Sequence, residues 1–130
     1  DGKLFGTSTS WYPDGQMKMK GNWPNGIKNG KYITWFKNGQ IWREEHWKNG
    51  NLDGKSTLWR ENGNKAYEFN YKNGRSIGKD TNWYENGQKQ SEINRNDEGK
   101  FTGKYIEWNE KGEITSEYMC EDGKCTSIKG

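Results

Sequence analysis

At 130 residues the chain has the length of one domain. Only 28% of it is aliphatic, aromatic or cysteine and 30% is charged, which excludes a thick two-layer apolar core and any apolar run able to cross a membrane. The formal net charge of +3, with acids and bases interspersed, excludes the concentrated basic footprint of a nucleic-acid binder.

The first residues, Asp1-Gly2-Lys3-Leu4-Phe5-Gly6, align with Asn49-Gly50-Asn51-Leu52-Asp53-Gly54 further on. On that alignment the chain is expected to start inside a turn with its upstream strand missing, either because a leader and more repeats are trimmed away or because it is a fragment of a longer array. The alignment extends to the whole sequence. Lead tryptophans fall at Trp11, Trp35, Trp59, Trp83 and Trp108, at spacings of 24, 24, 24 and 25. The glycines Gly15, Gly39, Gly63, Gly87 and Gly112 keep the same beat, and a second set runs Gly26, Gly50, Gly74, Gly99 and Gly123. A fixed period in the twenties is the signature of a repeat array. The copies are 6–29, 30–53, 54–77, 78–102 and 103–126, all within one repeat domain.

Copy one turns at Pro13-Asp14-Gly15 and at Pro24-Asn25-Gly26. Pro, then Asp or Asn, then Gly suits a type I turn whose glycine is left-handed, the three-residue hairpin loop with a bulge. Asn-Gly alone also suits a two-residue type I′ loop. The prolines, which cannot donate to a closing ladder bond, favour the bulged form at both turns. Copy two, with Tyr32-Ile33-Thr34-Trp35-Phe36, is rich in β-branched and aromatic residues. Glu68-Phe69-Asn70-Tyr71 in copy three alternates as a strand does. Copy four has 12 residues between Gly87 and Gly99 where the others have 11, which predicts a bulge or longer loop over Ile93 to Glu98. Thr126 to Lys129 opens a sixth copy. A glycine about every 12 residues leaves no helical apolar period. The expected fold is all-β: an elongated, single-layer antiparallel meander of about ten strands, two per copy.

At half the repeat, Trp11, Trp23, Trp35, Trp47, Trp59, Tyr71 and Trp83 follow one another every 12 residues, and the beat then falls on Arg95, Trp108 and Cys120. With bulged turns, Trp35 lies opposite Ile41, and Ile41, Arg43, Glu45 and Trp47 share a face. Both tryptophan rows are then expected on one face. A one-residue slip would put them on opposite faces.

Copy five contains Cys120-Glu121-Asp122-Gly123-Lys124-Cys125, two cysteines straddling one turn in the slots of Trp47 and Leu52. Opposed strands bring such residues near bonding distance, so a disulfide is expected, the alternative being a reduced pair of small apolar fillers. The disulfide implies an oxidising compartment: cell surface, periplasm or medium. Cys-x4-Cys with no companion ligand pair is poor zinc spacing, and no metal or cofactor is expected.

The pattern Gly-Lys-x-x-x-Trp-[Phe/Tyr]-x-Asn-Gly-[Gln/Asn], then Glu-x-x-[Trp/Tyr]-Lys-Asn-Gly and a closing Gly, resembles the bacterial variant of the MORN repeat (membrane occupation and recognition nexus). That group includes the YwqK-like antitoxins. Tyr84-Glu85-Asn86-Gly87-Gln88-Lys89 and Tyr71-Lys72-Asn73-Gly74 are its most faithful segments. Arg60 and Asn109 in the slot after Trp, Ser127 for the closing glycine and the copy-four insertion depart from it. The resemblance implies a twisted sheet of hairpins, non-catalytic, serving protein contacts or proposed lipid contacts.

Catalysis finds little support in the residues themselves. His46 lies on a strand among Arg43, Glu44, Glu45 and Trp47 and reads as a cross-strand partner. Glu44, Glu68, Glu92 and Glu117 recur with Lys31, Lys55, Lys79 and Lys104, and a repeated acid is a ladder partner where a catalytic pair is local. No His-Arg-Asp or Asp-Phe-Gly equivalent is present. The candidate binding residues are Trp11, Trp35, Trp42, Trp47, Trp59, Tyr71, Trp83 and Trp108. Trp42 stands apart from its slot-mates Ala66, Gln90 and Thr115 and is expected to be exposed. Three partner classes stay open: another protein, including a second copy through open sheet edges; a glycan stacked on a Trp ladder; and, by family analogy alone, an antitoxin target or lipid headgroup, the last poorly supported by the charge. The bland alternative is that the tryptophans only pack on their neighbours. An extracytoplasmic location follows from the disulfide, a cytoplasmic one from an antitoxin role.

Overall fold

A computed structural model describes residues 6–129, so the expectation for Asp1 to Phe5 lies outside the described residues. The strands are β1 (Gly6–Trp11), β2 (Met17–Trp23), β3 (Gly30–Trp35), β4 (Ile41–Lys48), β5 (Asn51–Leu52), β6 (Gly54–Trp59), β7 (Lys65–Lys72), β8 (Arg75–Trp83), β9 (Lys89–Arg95), β10 (Gly103–Trp108), β11 (Ile114–Glu121) and β12 (Lys124–Lys129). They form one open antiparallel sheet in which each strand pairs with the next along the chain, the two-residue β5 alone lying off the path beside β4. The ten expected strands are present, with β5 and β12 in addition. Among the described residues no helix is long and apolar enough to span a membrane.

The first turn of each copy is the expected three-residue loop. Gly39 N–H donates to the Phe36 carbonyl at 3.0 Å, Phe36 N–H donates to Gln40 at 2.8 Å, and Gly39 has φ +90°. The second turns depart from expectation. Asn25, Asn49, Asn73 and Asp122 have φ between 50° and 56°, and the glycine after each is also positive, so these are two-residue type I′ turns. Asn and Asp tolerate the left-handed region, and that turn matches the strand twist. Pro24 is accommodated because it precedes the two central residues: its carbonyl accepts from Ile27 N–H at 3.1 Å, and it gives up only the return bond. The additional residue in copy four changes the second turn back to the three-residue form, Asp97-Glu98-Gly99, with Gly99 N–H on the Asn96 carbonyl at 2.8 Å.

The two tryptophan rows lie on opposite faces, which corrects the shared-face expectation. Trp35 does pair with Ile41, but Thr34 pairs with Arg43, so Trp42 has no ladder partner. The same one-residue slip occurs in every first hairpin and isolates Lys18, Ala66, Gln90 and Thr115. A one-residue slip inverts the alternation, so Ile41 and Arg43 point to opposite sides. Trp47, opposite Gly30, therefore lies on the face that Trp35 avoids. The loop bulge is expected from the turn residues, whereas this second bulge lies inside the strand and has no turn residue to mark it.

The connection from each copy to the next keeps its faces. Trp47 pairs with Leu52 and Glu44 with Thr57, a step of two residues, which preserves alternation. The step occurs at the closing glycine, where Gly54 has φ +113°. The sheet thus has a thin layer on each side and no thick core. Among the described residues only Ile93 and Cys120 are buried apolar residues, and no side chain is fully buried.

Candidate functional surfaces

The first face carries Trp11, Trp35, Trp59, Trp83 and Trp108, by the register of the five hairpins. Trp11 at the end of the row is 59% exposed, while the other four are half-buried. Trp59, Trp83 and Trp108 each neighbour the residue that follows the first turn of the preceding copy. Lys65 Nζ lies 5.5 Å from the Trp83 ring, Lys89 Nζ lies 5.9 Å from Trp108, and Ile41 shares a shallow recess with Trp59. Beside the row runs the expected lysine–glutamate ladder: Lys31–Glu44 at 3.6 Å, Lys79–Glu92 at 3.9 Å and Lys104–Glu117 at 3.4 Å. Burial works against the charge of Glu68. The Lys65 hydrogen bond and charge, the Lys55 charge and the Thr57 hydroxyl outweigh it and hold this carboxyl below its ordinary range.

The second face carries the second row, Trp23, Trp47 and Tyr71, and then Arg95 and Cys120. Each stands opposite a closing glycine, which leaves room for a large side chain. The chemistry of this face changes along the array. Copies one and two bring together Trp23, Tyr32 and Trp47; Trp23 and Tyr32 meet edge to face at 6.1 Å. Copy three stacks Tyr67 on Phe69 at 4.7 Å. Burial, with the negative charge of neighbouring groups, pushes the Tyr71 phenol up. Copy four buries Asp80, which accepts from Arg95 Nε at 2.9 Å and from the Ser76 hydroxyl at 3.3 Å. Copy five packs Tyr105 against Tyr118 at 5.4 Å and ends in a Cys120–Cys125 disulfide across the last turn.

Trp42, the unpaired bulge residue, is on this second face and 40% exposed. Its ring stacks on Phe36 at 5.4 Å, and the Arg43 guanidinium lies 5.4 Å from it. Trp42 and Arg43, with Tyr12, Lys18, Met19 and Tyr32, border a recess of about 350 Å³. Inside it the Thr34 hydroxyl and Arg43 Nε are buried without a hydrogen-bond partner. The eight candidate residues are therefore divided: five on the first face, and Trp42, Trp47 and Tyr71 on the second.

Other singled-out residues join one copy to the next. His46 Nδ1 donates to the Lys55 carbonyl at 2.9 Å, which requires the tautomer with its proton on Nδ1. Asn70 and Asn94 occupy the same slot and donate to Lys79 and Lys104 carbonyls at 2.9 and 3.3 Å. The slot after the lead tryptophan works likewise: Tyr12, Arg60 and Tyr84 donate to the Trp35, Trp83 and Trp108 carbonyls at 2.6, 2.9 and 2.7 Å. Arg60, a departure by residue type, thus fills a tyrosine's role. In the turns, Asn38, Asn62 and Asn86 each accept from a nearby backbone N–H through Oδ1 and donate through Nδ2 to the next copy.

Sequence reasoning left Lys28, Trp23 and Tyr32 out of the candidate set. Trp23 was audible in the 12-residue beat, but Lys28 has no repeat signal, since its slot-mates are Leu52, Ser76, Phe101 and Cys125. Among the described residues no group of three His, Cys, Asp or Glu side chains is arranged to hold a metal.

No curated protein matches the chain. The family described as MORN repeat variant matches residues 6–26, 28–49, 52–73 and 78–97, four repeats that cover well over half of the sequence. Those segments follow the hairpins seen in the sheet, and β10 and β11 repeat the same register and the same bulge. The chain belongs to the MORN repeat variant family.

Proposed function

We propose that this chain is a non-catalytic scaffold that holds another protein on the second face of its sheet, around Trp42, outside the cytoplasm. MORN repeats are commonly protein- or membrane-interaction modules and generally non-enzymatic. The observation that carries the reading is Trp42. A bulge residue contributes nothing to the ladder, and its slot-mates are small or polar. Yet here stands a large ring, 40% exposed, beside an arginine with an unsatisfied N–H. Exposed Trp beside Arg is hot-spot chemistry. The Cys120–Cys125 bond supports an oxidising compartment.

The glycan reading has less support. A sugar-stacking ladder needs a row of open rings, whereas Trp35, Trp59, Trp83 and Trp108 are half-buried and two of them lie under lysines. An antitoxin role has no observation of its own.

The test is affinity capture with the wild type and with Trp42→Ala and Arg43→Ser variants that retain the wild-type circular dichroism spectrum. The expected result is a saturable protein partner, rebound in purified form, that both variants lose and Trp11→Ala keeps. Equal capture by all forms would reject the assignment to Trp42. Retention on purified peptidoglycan, lost on lead-tryptophan substitution, would support the glycan reading instead.

A further inference from the structure

Lys28 is held in a box of three aromatic rings. Its Nζ lies 3.6 Å from the Tyr32 centroid, 4.3 Å from Trp47 and 5.7 Å from Trp23. The rings come from three elements: β2, β3 and β4. They close up because position 21 has no side chain. A Cβ on Gly21 would lie 2.7 Å from the Trp23 ring and 2.8 Å from the Tyr32 ring. The slot-mates of Gly21 are Glu45, Phe69, Ile93 and Tyr118, so this box is built at only one place in the array. A carboxylate flanks it: Glu45 pairs across the ladder with Tyr32 and accepts from Trp47 Nε1 at 3.0 Å.

The occupant fits this box poorly. Among the described residues Lys28 Nζ makes no salt bridge and no hydrogen bond; its contacts are ring faces. A primary ammonium carries three N–H donors, and removing them from water without acceptors is costly. Burial accordingly pushes the Lys28 amine down, against the pull of Glu45. A quaternary ammonium has the same charge, no N–H to satisfy and weak hydration, which is the chemistry aromatic boxes recognise best.

We propose that the Trp23–Tyr32–Trp47 box is a binding site for a quaternary ammonium group, and that Lys28 is its displaceable internal occupant. The lysine is on the connection between the second turn and β3, with an exposed Ile27 before it, and its flexible stem can swing out without disturbing the ladder. The inference is separable from the scaffold reading: Tyr32 borders both the box and the recess, but Trp42 and Arg43, on which the scaffold test rests, take no part in the box.

The experiment titrates tetramethylammonium chloride into the wild type and Lys28→Ala at constant ionic strength, following tryptophan fluorescence. Lys28→Ala is expected to bind at least about ten-fold more tightly than the wild type, since the competing occupant is gone. Adding Tyr32→Ala to Lys28→Ala is expected to abolish that binding. In the wild type, ring currents place the Lys28 ε-methylene resonances upfield, and tetramethylammonium is expected to return them to the free-lysine position. This measurement decides the matter even if Lys28→Ala fails to fold. An unmoved Lys28 resonance overturns the proposal, as does equal binding of ethylammonium and tetramethylammonium. Choline and Nε-trimethyl-lysine are titrated in parallel, and tighter binding of either supports the site and names the source of the group.

Discussion

The Tyr12 hydroxyl donates to the Trp35 carbonyl oxygen at 2.6 Å, across one whole copy of the repeat. The same bond recurs from Tyr84 to Trp108, and from the Arg60 guanidinium to Trp83. Two different side chains reach the equivalent backbone acceptor, so in copies one, three and four the slot supplies a long donor, while Phe36 in copy two supplies only a ring, stacked on Trp42. Tyr84→Phe keeps the ring and removes the donor. It is expected to lower unfolding free energy by about 1 kcal/mol, while Arg60→Tyr stays within about 0.5 kcal/mol of wild type. Urea unfolding with an unchanged slope measures both, and a neutral Tyr84→Phe would count against the bond as a coupling between copies.

The three-residue second turn of copy four is an inserted residue and not a requirement of the fold. Deleting Glu98 leaves Asp97-Gly99 between Asn96 and Lys100, the Asp-Gly pair that copy five uses as a type I′ turn. The deletion is expected to leave the thermal midpoint within a few degrees of wild type. The same deletion at Gly99, which has φ +83°, is expected to be clearly worse.

Acid should weaken the first face through Glu68. Its folded pKa is below the unfolded value because Lys65, Lys55 and Thr57 favour the carboxylate more than burial disfavours it. Its stabilising contribution is therefore complete above the unfolded pKa and is lost as pH falls through the folded one. Wild type is expected to melt above Glu68→Gln at neutral pH, and the two melting curves to converge in acid. A gap that does not change with pH would show that the substitution acts through packing.

Reduction should loosen one end of the sheet and spare the middle. The Cys120–Cys125 ring spans five residues of sequence separation, for which chain entropy predicts about 2 kcal/mol. In an array whose copies touch only their neighbours, that loss stays local. Hydrogen exchange after reduction is expected to quicken at Tyr118 and Met119 on β11 and to leave the Ser56 and Thr57 amides on β6 unchanged. Uniform acceleration along the sheet would contradict this.

Much of the molecule is legible in one dimension because a repeat writes its fold several times over. The turn glycines set the strand ends, Asn-Gly and Pro-Asp-Gly set hairpins, and the recurring Lys and Glu slots set a ladder on one side. Even Cys120 and Cys125 could be placed, because Trp47 and Leu52 show which positions face each other across a second turn. These are local features, determined by backbone preference and spacing.

The faces were not legible. A single unpaired residue at Trp42, Lys18, Ala66, Gln90 or Thr115 inverts everything beyond it, and no residue type marks that slot, since a bulge there is chosen by sheet twist and neighbour packing. The same tertiary choice put Trp35 and Trp47 on opposite sides and left Trp42 outward. It also gathered Lys28, Trp23, Tyr32 and Trp47, which come from two copies, around one charge. Composition and period determined that this chain would be a row of hairpins. Only the pairing of those hairpins decided which rings meet, because contact between copies depends on a register that one residue can reverse.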